Sequence, residues 1–128
     1  MVIVDSCVWI DVMRGNITDE TIVLGQLMDE ADIGVGDLIL YEILRGVPAV
    51  RRYDQILATI YKLTVCQMGG RQLVMEAVHN SKYLNTKGIQ VATVDCLIAT
   101  YCIANGDHLL SSDHHFQPFV DYCGLKMM

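Results

Sequence analysis

Short β-branched or glycine-flanked apolar runs alternate with helical periodicity from one end of this chain to the other, and that alternation limits its fold more than any other feature. Met1-Val2-Ile3-Val4 is a continuous apolar run stopped by Asp5, the pattern of a short strand covered on both faces. Ser6 is a candidate cap for a helix that carries Val8, Trp9, Val12 and Met13 on one side and ends near Gly15. A second helix begins at Thr18, with Ile22, Leu24, Leu27 and Met28 as its apolar positions, and residues 31–35 read as a strand. Asp37 is the predicted N-cap of a helix through Leu38, Ile39, Glu42, Ile43 and Arg45, with Gly46 at the stop position. Pro48 stands where another helix can start, Tyr53, Ile56, Leu57 and Ile60 form its stripe, and residues 61–66 read as a strand. The pattern continues with a long helix over 70–87, a helix over 94–105 capped by Thr93 and closed by Gly106, and a strand over 108–111. A turn or short helix over 113–123 and an edge strand over 125–128 complete it. Parallel neighbours need crossover connections, so the alternation implies a three-layer α/β/α domain around a central parallel sheet of about four to five strands.

A chain of 128 residues fills one core, so residues 1–128 are expected to be a single domain. No apolar run reaches the roughly 18 to 20 residues of a spanning helix, and the apolar start has no basic flank, which predicts neither anchor nor leader. The five cysteines are odd in number and lack a Cys-x-x-Cys pair, so they read as reduced, mostly buried thiols of a cytoplasmic protein. Fifteen acids against nine bases give −6, which argues against a protein that binds nucleic acid through a coat of positive charge.

In an open parallel sheet the ligand site lies beyond the carboxyl ends of the strands, where the strand order reverses. Asp5 ends the first strand and Asp113 closely follows the strand over 108–111, so both fall at that edge if the two are parallel. Glu42 and Asp95 lie on helices that start from the same edge, among apolar neighbours. Each alone has an ordinary explanation: a first-turn acid for Asp95, half of a pair with Arg45 for Glu42, a turn residue for Asp113. Four carboxylates in one pocket repel unless a cation neutralises them, and hard oxygen ligands select Mg2+ or Mn2+. Such an ion, single or paired, can activate water against a phosphodiester.

Val2-Ile3-Val4-Asp5-Ser6 with Trp9-Ile10, Glu42 within Tyr41-Glu42-Ile43-Leu44-Arg45-Gly46, Asp95-Cys96-Leu97-Ile98-Ala99, and Leu109-Leu110-Ser111-Ser112-Asp113 with Phe116 resemble, in order and spacing, the PIN-domain ribonucleases. Within them the chain is most similar to the VapC-type toxins of bacterial and archaeal toxin–antitoxin pairs, over essentially its whole length. The resemblance implies a Mg2+- or Mn2+-dependent endoribonuclease, with one or two ions held by Asp5, Glu42, Asp95 and Asp113. Asp5 would be the central ligand, Asp95 and Asp113 would complete the site, and Glu42 would orient water or a second ion. Ser6 and Ser111 match hydroxyl positions that support the carboxylates or the scissile phosphate. Water activated by the ion would attack phosphorus in line, leaving a 5′-phosphate and a 3′-hydroxyl. The resemblance also implies a homodimer and a small cognate antitoxin that pushes an arginine toward the carboxylates. Transfer RNA, ribosomal loops and messenger RNA are all substrates of such toxins. One departure stands out: many relatives have a further acid where this chain has His115, preceded by His114. Those histidines read either as solvent-facing turn residues or as a phosphate contact and proton donor.

Arg14, Arg45, Arg51, Arg52 and Lys87 are the bases nearest in sequence to the segments that lead into the site, and phosphate contacts through them would be salt-sensitive. Two rivals remain in view. A haloacid-dehalogenase-type phosphotransferase needs a second aspartate two residues after the first, where this chain has Cys7. A catalytically silent binding module of the same fold would keep the carboxylates only for antitoxin recognition. Without the four site acids, eleven acids face nine bases and the remainder carries −2, so the acidity is concentrated in the site.

Overall fold

The computed structural model describes residues 1–47 and 53–128. Five strands form one sheet: β1 (Val2–Val4), β2 (Ile33–Gly36), β3 (Thr64–Cys66), β4 (His108–Leu110) and β5 (Lys126–Met127). Their order is β3-β2-β1-β4-β5 and every pairing is parallel, in agreement with the layered α/β expectation. Seven α-helices lie among the described residues: α1 (Ser6–Arg14), α2 (Asp19–Glu30), α3 (Asp37–Gly46), α4 (Asp54–Lys62), α5 (Arg71–Thr86), α6 (Thr93–Asn105) and α7 (Gln117–Cys123). Six of them pack in two groups, α1 with α2 and α3, and α5 with α6 and α7.

β1 is central because all three of its residues are apolar and can be covered on both faces; Ile3 and Val4 are fully buried. The chain leaves β1 toward β2 on one side and reaches β4 on the other, which places the reversal of strand order between β1 and β4. Val4 pairs with Leu110, and the Asp5 amide donates to the Leu110 carbonyl at 2.9 Å, so the residues that follow the two strands emerge side by side. On the other flank, β2 alternates glycine with larger residues because its neighbours come close. A Cβ on Gly34 would lie 2.4 Å from Met1 Sδ, and one on Gly36 would lie 2.2 Å from Met68 Sδ.

Several boundaries differ from the sequence expectation. Asp5 itself, not Ser6, caps α1: its extended backbone lets the carboxylate accept the Ser6 amide. Gly36 precedes α3 as its cap, and Asp37, the first helical residue, accepts from both Leu38 N (2.8 Å) and Met68 N (3.0 Å), tying α3 to the segment after β3. Ala92 takes the cap position predicted for Thr93. The strand expected over 61–66 starts only at Thr64, because Ile60 is buried and α4 continues to Lys62. Gly15 and Gly106 end α1 and α6 in the left-handed conformation, as predicted, whereas α3 passes through Gly46 and ends at an extended Val47. On α2 only Leu24 is buried; Ile22 and Met28 face outward. The helix start assigned to Pro48 lies outside the described residues.

All five cysteines are unpaired, with Cys66, Cys96 and Cys102 buried and Cys7 and Cys123 half-buried. Among the described residues no helix is long and apolar enough to cross a membrane.

Candidate active site

The carboxyl ends of β1 and β4 deliver Asp5 and Ser111 to one point. Asp5 is buried, and its carboxylate is held from three directions: Oδ1 accepts from Ser6 N at 2.8 Å, while Oδ2 accepts from Ser111 Oγ at 2.7 Å and from Cys7 Sγ at 3.5 Å. Ser111 also accepts from the Asp113 amide at 3.0 Å, so one hydroxyl links the first aspartate to the turn that presents the last. Ser6 bridges in the other direction, its Oγ donating to Glu42 Oε2 at 2.6 Å. Glu42 is presented by the second turn of α3 and Asp95 by the first turn of α6. Asp113 caps the 3₁₀ turn His114–Phe116 through Oδ1, which accepts from the His115 amide and lies 2.9 Å from His115 Nδ1.

The electrostatics join the four acids into one field. Burial raises the Asp95 carboxyl above the ordinary carboxylate range, and the charges of Asp113, Asp5 and Glu42 add to the rise, partly offset by His115. Burial likewise raises Asp5, against the lowering effect of hydrogen bonds from Ser111, Ser6 and Cys7. Among the described residues no lysine or arginine forms an ion pair with any of the four.

This donor set suits a hard divalent ion. Oxygen atoms of Asp95 and Asp113 and a ring nitrogen of His115 lie within 4.8 Å of one another, and they are the only such group of three among the described residues. Asp5 and Glu42 stand outside that group, linked to each other through Ser6. Beside it opens a cleft of about 340 Å³ lined by Gln90, Val91, Ala92, Asp95, His114, His115 and Pro118.

The basic residues are placed differently. Arg14 sits in the last turn of α1, nine residues from Asp5 and so about 13 Å further along the helix axis, beside Gly46 and Val47. Arg45 in the last turn of α3 stacks over the Tyr41 ring at 5.5 Å, and Lys87 lies near the rings of Tyr83 and Tyr122. Arg51 and Arg52 lie outside the described residues. His114 and His115 are exposed, their rings 4.5 Å apart. Cys7, an ordinary buried thiol by sequence, lies inside the site, 3.5 Å from Ser111 Oγ and 3.4 Å from Ser112 Oγ. Its place two residues after Asp5, in the first turn of α1, is the signal that points there.

This architecture is shared with known proteins. FitAcB from Neisseria gonorrhoeae superposes with a TM-score of 0.78 at 15% identity, covering 100% of this chain and 96% of that one. VapBC2 from Rickettsia felis, bound to a DNA fragment from their promoter, gives 0.76 at 16% identity, covering 100% and 98%. VapBC-1 from nontypeable Haemophilus influenzae gives 0.72 at 17% identity, covering 100% and 97%. At such identities the likeness establishes the fold. No curated protein matches the sequence. The model of the PIN domain matches residues 2–119, nearly the whole sheet and all four acids, and the chain therefore belongs to the PIN-domain family.

Proposed function

We propose that this protein is a divalent-metal-dependent endoribonuclease, the toxin of a toxin–antitoxin pair. The observation that carries the reading is uncompensated charge: carboxylates from four separate segments act on one another, and no lysine or arginine among the described residues pairs with them. Such a pocket repels RNA until a cation enters it, and the full-length likeness to VapBC and FitAcB chains supports the toxin assignment. Asp5, Glu42, Asp95 and Asp113 hold Mg2+ or Mn2+, directly or through water. The bound ion supplies a Lewis acid and an activated water for attack on phosphorus. Ser111 and Ser6 fix the orientation of Asp5 and Glu42, and the cleft beside Asp95 receives the nucleotide that flanks the scissile bond.

Two exposed apolar surfaces serve the partners in this reading. Val74, Met75 and Val78 project from α5 and meet a second copy of the chain. Tyr41 and Leu44 are exposed one turn apart on α3, the helix that also presents Glu42, so an apolar antitoxin segment seated on them can reach round the helix to bring a basic side chain to the carboxylates. An arginine there offers a permanent charge and a planar fork of donors to the oxygens that otherwise hold the ion.

The test is incubation of antitoxin-free protein with structured RNAs in Mg2+, Mn2+ or chelator, beside Asp5→Asn. Metal-dependent cleavage that disappears in the variant supports the enzyme. A pure protein that binds antitoxin but cuts no RNA with either ion is a silent binding module instead. Excess Mg2+ weakens inhibition if arginine and ion compete for the same oxygens.

A further inference from the structure

Within the acidic pocket the tightest donor group contains a residue that sequence alone left between two other roles. His115 brings a ring nitrogen to within 4.8 Å of carboxylate oxygens of both Asp95 and Asp113. Donors around a small divalent ion at about 2.1 Å stand roughly 3 to 4 Å apart, so little adjustment separates this arrangement from a coordinated one. The contact with Asp113 alone has a modest explanation, since a neighbouring pair in a 3₁₀ turn, 67% and 33% exposed, contributes little to stability. Asp95 changes that assessment. It comes from the first turn of another helix, twenty residues before His115, and capping the turn does not require it. The imidazole also borders the cleft beside Asp95.

We propose that His115, brought together with Asp95 and Asp113 at the mouth of the pocket, is a metal ligand, and that the site consequently prefers a first-row transition ion such as Mn2+ to Mg2+. This rests on the metal-dependent reading above and specifies one of its ligands. Mg2+ keeps oxygen ligands and dehydrates reluctantly, whereas transition ions accept imidazole readily. Exchanging a carboxylate for an imidazole also removes one negative charge, which weakens the hold on Mg2+ without a compensating bond.

Pulsed electron paramagnetic resonance with Mn2+ alone tests the ligand directly, because a coordinated imidazole nitrogen modulates the electron spin echo. The modulation is expected in the wild-type protein and in His114→Ala, and absent in His115→Ala. Mn2+ affinity, counted from the free-ion signal, should fall at least about tenfold in His115→Ala, since losing even a partner of a ligand costs that much. His115→Asp should regain binding without the nitrogen signal and with Mg2+ competing more effectively. Bound Mn2+ without nitrogen modulation in the wild type, or modulation that survives His115→Ala, overturns the assignment while leaving the metal-dependent reading intact. Failure of the wild-type protein to bind Mn2+ at all overturns both.

Discussion

Ser111 Oγ donates to Asp5 Oδ2 at 2.7 Å across a sequence separation of 106 residues, closing the pocket between two adjacent parallel strands. This bond stabilises the ionised form of a buried carboxylate, so its loss should raise the Asp5 carboxyl further. Ser111→Ala is expected to cost about 1–3 kcal/mol of stability and to move the acid limb of the activity profile to higher pH. Ser111→Thr keeps the hydroxyl and should stay near wild type. Equal losses in both variants would show that side-chain volume, not the donor, matters there.

The fold bears a cost for Asp5 that a bound cation would relieve. Because burial raises its carboxyl above the ordinary value of 3.8, the folded chain retains a proton that the unfolded chain releases. The destabilisation is absent below pH 3.8, grows as pH rises toward the folded value, and is complete above it. Asparagine also caps helices well, so Asp5→Asn should melt higher than wild type at neutral pH in chelator, with the advantage vanishing in acid. Mn2+ should raise the wild-type melting temperature more than that of the variant. A variant that melts lower throughout the pH range would contradict this account.

Gly36→Ala should destabilise the domain without touching the chemistry. The added methyl falls 2.2 Å from Sδ and 2.4 Å from Cε of the fully buried Met68. Overpacking of this kind costs about 1–3 kcal/mol, measurable by urea titration. Gly36→Ala combined with Met68→Ala should be less destabilised than the sum of the two single changes, and strict additivity would place the strain elsewhere.

If two copies meet through α5 as proposed, charge on that surface should separate them. Met75 is 60% exposed between the exposed Val74 and Val78, so Met75→Glu costs little in the isolated fold but opposes apolar contact with a second chain. Light scattering should report a dimer for wild type and a monomer for the variant. If the variant remains dimeric, another face joins the copies.

The sheet was readable because its strands are short, apolar and punctuated: Val2–Val4 stops at Asp5, and β4 ends just before a run of polar residues. The site followed from that reading, since parallel strands with adjacent ends bring Asp5 and Asp113 to one edge whatever the loops do. Cap positions were less legible, because Asp5, Gly36 and Ala92 take roles for which Ser6, Asp37 and Thr93 are as good or better residue types. The outward turn of Ile22 and Met28 depends on which helices α2 has for neighbours, a tertiary fact that periodicity does not carry. The same holds for His115, whose relation to Asp95 exists only once α6 lies against the 3₁₀ turn.

The central place of β1 ties assembly of the pocket to assembly of the sheet. Asp5 directly follows β1, yet the strand end beside it belongs to β4 and its hydroxyl partner is residue 111. Without β4 and Ser111, Asp5 loses the strand end beside it and its hydroxyl donor. The geometry proposed for the four acids is therefore assembled only when segments 106 residues apart have come together, so a complete pocket requires a complete central sheet.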